Sequence, residues 1–193
     1  MKRTDYCGTF TSADIGRKVC VKGWVQKQRD LGSLIFIDLR DRTGIVQLAF
    51  DSDTDKAVFD IAFAVRSEYV LSVSGTLRER TSKNALIPTG DVEIAVDDIT
   101  VLSVSQTPPF DITDSCKASE ELRLKYRYLD LRRPALMNNL LFRNKLAHVT
   151  RNYFYDRGFV EIETPMLIKS TPEGARDYLV PSRIHKGSFY ALP

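Results

Sequence analysis

Seven side chains in the first half of the chain suit contact with single-stranded nucleic acid. Phe36 offers a ring on which a base can stack, an interaction of roughly 1–3 kcal/mol. Gln47 and Glu93 carry the donors and acceptors that read Watson–Crick edges, while Lys27, Arg29, Arg78 and Arg80 carry charge for phosphates. Such groups act together only if they share a surface, and alternation along extended segments puts them on one. Ile35, Ile37 and Leu39 form one set, leaving Phe36, Asp38 and Arg40 on the other; Val46, Leu48 and Phe50 leave Gln47 outside. Leu71, Val73, Gly75 and Leu77 leave Arg78 and Arg80 opposite, and Val92, Ile94 and Val96 do the same for Glu93. An exposed aromatic, an amide, two arginines and a carboxylate are therefore expected on the open side of a sheet. Arg40, Asp41 and Arg42 read more simply as a solvated strand face, and Trp24 as core.

The elements that must hold this surface follow from the same pattern. Period-two runs at residues 19–28, 34–40, 45–51, 69–80 and 92–103 read as strands. Between the third and fourth, residues 55–65 begin with an acid and continue with a longer apolar run, which suits a short helix. Three strands, a helix and two strands is the order of an OB-fold β-barrel. Gln106-Thr107-Pro108-Pro109-Phe110 ends the last strand, because proline cannot donate to a ladder. The expected division is therefore a barrel over residues 1–108, a hinge over 109–125 and a second part over 126–193.

In that second part the period changes to a helical one. Ser119-Glu120-Glu121 opens a charged helical stretch, and Pro134 sits where the first turn of a second helix tolerates it. Phe142, Leu146, Val149 and Tyr153 then give an apolar stripe, which Asp156-Arg157-Gly158 stops with a glycine cap. Residues 160–163, 178–180 and 189–192 read as short strands, so the whole is α+β. The last strand opens a sheet edge at Pro193, and the expectation is an amino-terminal portion of something longer.

Composition excludes several classes. The 193 residues hold 28 Lys plus Arg against 25 Asp plus Glu, and the net charge of +3 gives no bulk attraction to polyanions, so any nucleic-acid binding must come from local arrangement. With 43% hydrophobic residues the chain is neither disordered nor fibrous. Cys7, Cys20 and Cys116 are odd in number and form no Cys-x-x-Cys pair, so neither a disulfide framework nor a metal site is expected. The start lacks a secretory apolar stretch and no run reaches membrane-spanning length, which makes a cytoplasmic protein without membrane contact the default.

The stretch Arg157-Gly158-Phe159-Val160-Glu161-Ile162-Glu163-Thr164-Pro165, following a long helix, resembles the first signature motif of the class II aminoacyl-tRNA synthetases. Lys125-Tyr126-Arg127-Tyr128-Leu129-Asp130-Leu131-Arg132-Arg133 before it is similar to the bacterial-type aspartyl branch of that family, as is Thr171-Pro172-Glu173-Gly174-Ala175-Arg176-Asp177-Tyr178 after it. That branch shares an amino-terminal anticodon-binding OB barrel with the asparaginyl and lysyl enzymes. The resemblance implies that Phe36 stacks on an anticodon base, that Gln47 and Glu93 read bases, and that Lys27, Arg29, Arg78 and Arg80 hold the loop backbone of tRNA(Asp). It implies that Gly158, Phe159 and Pro165 belong to a homodimer interface and that Glu173, in a loop over the active site, contacts the amino group of L-aspartate. Leu31 and Lys83 resemble the choice in enzymes that charge only the aspartate tRNA.

The parent reaction that the resemblance implies is ATP- and Mg2+-dependent activation of L-aspartate as its adenylate, then transfer to tRNA(Asp) in translation. The glutamine-serine segment and the two later motifs that hold the amino acid, ATP and magnesium in that family do not occur in these residues. No catalytic residue and no bound cofactor are therefore expected in this portion, only anticodon-loop binding. Two alternatives stand beside this reading: a non-catalytic OB protein that binds single strands or a partner, and an asparaginyl or lysyl enzyme.

Overall fold

A computed structural model describes residues 2–170 and 176–192. The chain forms two compact units, Met1–Asp111 and Ile112–Pro193.

In the first unit, a short 3-10 turn (Ser12–Asp14) precedes β1 (Lys18–Asp30), β2 (Ile35–Arg40), β3 (Ile45–Phe50), α1 (Lys56–Ala64), β4 (Val70–Glu79) and β5 (Val92–Ser103). The strands close into a barrel in the order β1-β2-β3-β5-β4, with β3 and β5 parallel and the other pairs antiparallel. The apolar parity set fills the interior: Val21, Val25, Ile35, Ile37, Leu39, Val46, Leu48, Phe50, Leu71, Val73, Leu77 and Ile94 are all buried. The strands approach closely at Gly75, where a Cβ would stand 2.1 Å from the carbonyl oxygen of Ala95, and at Gly23, where it would stand 2.4 Å from that of Arg40. Asp55 caps α1 by accepting the Ala57 N–H at 2.8 Å, and Val58 and Ala62 turn inward to extend the core.

Two expectations about single residues on this barrel are corrected. Trp24 is 38% exposed and not core. Val21 and Val25 take the inward parity of β1, so residue 24 must face out whatever its size. Arg40 is more than a solvated strand residue. It makes a two-pronged contact with the buried Glu68, at 2.8 and 3.1 Å, next to the barrel seam where the Glu68 N–H bonds the Val25 carbonyl at 2.7 Å. Glu68 holds a left-handed backbone (φ 64°) to do this.

The second unit contains α2 (Glu120–Lys125), α3 (Arg127–Asp130), α4 (Pro134–Tyr155), β6 (Tyr178–Pro181) and β7 (Phe189–Leu192). Ser119 caps α2, and Asp130, almost fully buried, binds Arg127 at 2.6 Å and Arg133 at 3.0 Å. Arg133 also donates to the carbonyl of Thr113, tying the segment after the barrel to the start of α4. The glycine cap is as expected: Gly158 has φ 81°, and the Phe159 N–H reaches back to the Phe154 carbonyl at 3.1 Å. β6 and β7 pair antiparallel. Residues 160–163, expected as a strand, form none, because a strand exists only against a partner ladder and no described segment pairs with them.

Candidate nucleic-acid interface

The barrel register gathers the predicted side chains into a row. Lys27 of β1 lies opposite Asp38 of β2, Asp38 opposite Gln47 of β3, Gln47 opposite Glu93 of β5, and Glu93 opposite Arg78 of β4. Each step uses the pleat, since residues directly opposed on neighbouring strands point to the same face. Phe36 lies one position beyond this row on the same outer face, opposite Arg29 and Ala49, with the Arg29 guanidinium 5.9 Å from its ring centroid.

Hydrogen bonds join the row into one network. Gln47 Nε2 donates to Glu93 Oε2 at 2.7 Å, and Gln47 Oε1 accepts from Arg80 at 2.7 Å and from Arg29 at 3.0 Å. The same Arg29 nitrogen donates to Asp38 Oδ1 at 2.8 Å. Arg78 bridges the far end, its Nε to Glu93 Oε1 and its Nη1 to Asp51 Oδ2, both at 2.9 Å. The amide of Gln47 has therefore only one consistent orientation: its oxygen faces donors that cannot accept, and its nitrogen faces a carboxylate that cannot donate.

This packing corrects the expected exposure. Gln47, Glu93 and Arg80 are on the outward side, as parity required, yet they are 5%, 4% and 8% exposed. Long guanidinium arms lie flat across the shorter side chains, so facing outward is not the same as meeting solvent. Arg80 in particular spends a terminal nitrogen on Gln47 and is not a free phosphate clamp. Lys27 is exposed, and Arg29, Phe36 and Arg78 are half-buried. Two buried donors, the Nε atoms of Arg29 and Arg80, have no hydrogen-bond partner among the described residues.

The electrostatics follow from the crowding. Burial pushes the Asp38 carboxyl up, against the pull of Arg29, Arg80 and Lys27. Burial would likewise raise the Asp51 carboxyl and depress the Arg78 guanidinium. Their mutual bond, helped by Glu93, wins, and holds Asp51 low and Arg78 high. Asp38 and Asp51 are the residues of this face that the sequence reading gave no role. Parity had put Asp38 on the outer face and could have put Asp51 there too, since 47, 49 and 51 alternate to one side.

At the rim, Leu31 sits exposed in the β1–β2 turn, and Lys83 pairs with Glu79 at 2.8 Å. In the second unit, Phe142, Leu146, Val149 and Tyr153 are each more than half exposed, and α4 buries no side chain. Phe159 packs edge-on against Phe154 and is otherwise exposed, as is Pro165. A concavity of about 450 Å³ opens beside them, lined by Thr150, Asn152, Phe154, Tyr155 and Val160. Glu173 lies outside the described residues.

Known proteins match along the whole chain. A family model described as "OB-fold nucleic acid binding domain" matches residues 19–102, and one described as "tRNA synthetases class II (D, K and N)" matches 119–193. An aspartate–tRNA(Asp/Asn) ligase of Natranaerobius thermophilus is 53% identical over 100% of this chain and 33% of its own length. An aspartate–tRNA ligase of Limosilactobacillus reuteri is 56% identical over 100% of this chain and 32% of its own. The chain thus spans about a third of the length of these curated relatives. Among solved structures, the asparaginyl-tRNA synthetase of Pyrococcus horikoshii with asparaginyl-adenylate superposes with a TM-score of 0.83 at 25% identity, covering 100% of this chain and 42% of that one. With one family model on the barrel, the class II synthetase model on the helices and strands after it, and aspartate ligases more than half identical throughout, the chain is similar to the class II aminoacyl-tRNA synthetases, and to the aspartate ligases among them.

Proposed function

We propose that the barrel binds the anticodon loop of an aspartate-accepting tRNA, within a protein that activates L-aspartate with ATP and transfers it to that tRNA. The observation that carries this reading is the five-residue row with its fixed hydrogen-bond polarity. Glu93 accepts only, so it selects a base edge that offers N–H donors. Gln47 has its oxygen fully engaged by two guanidiniums and one amide hydrogen left, so it addresses a base acceptor. The Nε donors of Arg29 and Arg80 add to that preference beside it. Phe36 supplies the stacking plane that holds a base against these edges.

Chemistry on aspartate and ATP is assigned to other parts of such a protein. Among the described residues no group of three or more His, Cys, Asp or Glu is placed to hold a metal ion. Leu31 and Lys83 at the rim support charging of the aspartate tRNA alone. The relatives of this chain carry both kinds of name, with and without asparagine tRNA. No helix among the described residues is long and apolar enough to cross a membrane, and the proposed site of action is the cytoplasm.

Assembly as a homodimer belongs to the same proposal. The exposed stripe of α4, with Phe159, Val160, Ile162 and Met166 after it, offers a second copy both an apolar face and an unladdered segment. Sedimentation of the chain at micromolar concentration is expected to show a dimer; a monomer at every concentration would remove this part.

Titration with an RNA hairpin carrying the anticodon loop of an aspartate tRNA tests the main reading. The hairpin is expected to bind more tightly than versions with one anticodon base changed. Phe36→Ala is expected to weaken binding by roughly 1–3 kcal/mol. Unchanged affinity in that variant, or equal binding of every single strand, would favour a sequence-tolerant OB protein instead.

A further inference from the structure

We propose that Asp38 is a positioning residue: by holding Arg29 it fixes the Gln47 amide, so that the face discriminates between bases instead of merely attracting phosphate. The inference rests on the anticodon-binding reading above. Asp38 sits inside the row, flanked by Lys27 on one strand and Gln47 on the other. It makes no demand on the barrel core, since Ile37 and Leu39 on either side of it take the inward positions. Among the described residues it pairs with Arg29, and the nitrogen that makes this ion pair also donates to Gln47 Oε1.

The geometry gives Asp38 a function in selection and not only in charge balance. Arg29 stands next to the end of β1, beside an exposed turn, and its long arm has many rotamers available. A charge-assisted bond to a carboxylate is stronger than one to an amide oxygen, so Asp38 is the stronger of its two anchors. Held there, the guanidinium lies over Phe36 and against Gln47 Oε1 together. Released, it removes one of the three bonds that orient the amide and leaves Arg80 and Glu93 to hold it, so the amide is set less firmly against a base.

Charge works in the opposite direction from selection. Lys27, Arg29, Arg78 and Arg80 are offset in part by Asp38, Asp51 and Glu93. Removing the Asp38 charge makes the face more positive and strengthens its attraction for any phosphate chain. Asp38→Asn is thus expected to change affinity and discrimination with opposite signs, which loss of folding cannot do.

The experiment compares the 193-residue chain with Asp38→Asn, Arg29→Gln and the double variant. Probes are the aspartate anticodon hairpin, the same hairpin with each anticodon base changed, and oligo(dT), across a salt series. In Asp38→Asn the affinity ratio between matched and changed hairpins is expected to fall about tenfold, while oligo(dT) binds as well or better with a steeper salt slope. Arg29→Gln is expected to lower the ratio comparably, and the double variant no further. An unchanged ratio in Asp38→Asn overturns the proposal, as does a parallel loss of ratio, oligo(dT) binding and thermal stability. If Asp38→Asn does not fold, an unchanged ratio in Arg29→Gln overturns it equally. A parent chain that binds all hairpins alike overturns the anticodon reading itself, which is a separate result.

Discussion

Phe36 and Glu68 show how differently two outward-facing side chains of one barrel can be employed. Phe36 is half-buried and outside the core cluster, so its loss in Phe36→Ala is expected at the RNA and not in the melting curve. Glu68 is the reverse. It is 8% exposed, in a left-handed backbone, and compensates Arg40 with both oxygens. Glu68→Ala strands a largely buried guanidinium, and urea unfolding is expected to show a loss of about 3 kcal/mol with hairpin affinity per folded molecule unchanged. At this scale the sequence told which side of a strand most residues take, because parity is a property of the backbone; Trp24 was misplaced because size was weighed above parity. It did not tell that Gln47, Glu93 and Arg80 would be covered, because that depends on how far arginines from other strands reach.

The barrel strands were legible as elements because their alternation is long and uninterrupted, and α1 because an acid stands before its apolar run. Residues 160–163 were not, since a strand needs a partner that local pattern cannot supply. Missed as well was the way the loop before β1 is clasped to the barrel. Asp41, at the end of β2, accepts the Cys7 N–H at 2.8 Å through one oxygen, and the Thr43 N–H and hydroxyl through the other. Burial would push the Asp41 carboxyl up, but these donors outweigh it and hold the group below its ordinary value. Burial, with Asp41 nearby, pushes the Cys7 thiol up, so it stays neutral at physiological pH. For a carboxyl held low in the fold, the stabilisation is present above its unfolded-state value and lost as pH falls through its folded-state value. Asp41→Asn is therefore expected to lower the urea midpoint at neutral pH, with the gap to the parent chain closing in acid below the ordinary carboxylate range.

For the whole molecule, the distribution of buried side chains separates the two units. The core cluster runs from Cys7 to Ile99 and lies wholly within the barrel unit, whereas α4 buries nothing. Residues 1–111 alone are expected to unfold cooperatively by calorimetry and to bind the hairpin as the 193-residue chain does; a barrel that unfolds without a transition would contradict this. In the sequence the period changes just after the proline pair, close to where the first unit ends at Asp111. The row of Lys27, Asp38, Gln47, Glu93 and Arg78 has one more consequence. It takes a single residue from every strand, so no partly opened barrel retains it. On the anticodon-binding proposal, RNA then binds the closed state alone, and its binding free energy is linked in full to closure. At a free hairpin concentration a hundredfold above the dissociation constant, that linkage adds about 2.7 kcal/mol to barrel stability. On that proposal the tRNA would be a sixth element of the barrel, one that joins only after the other five have met.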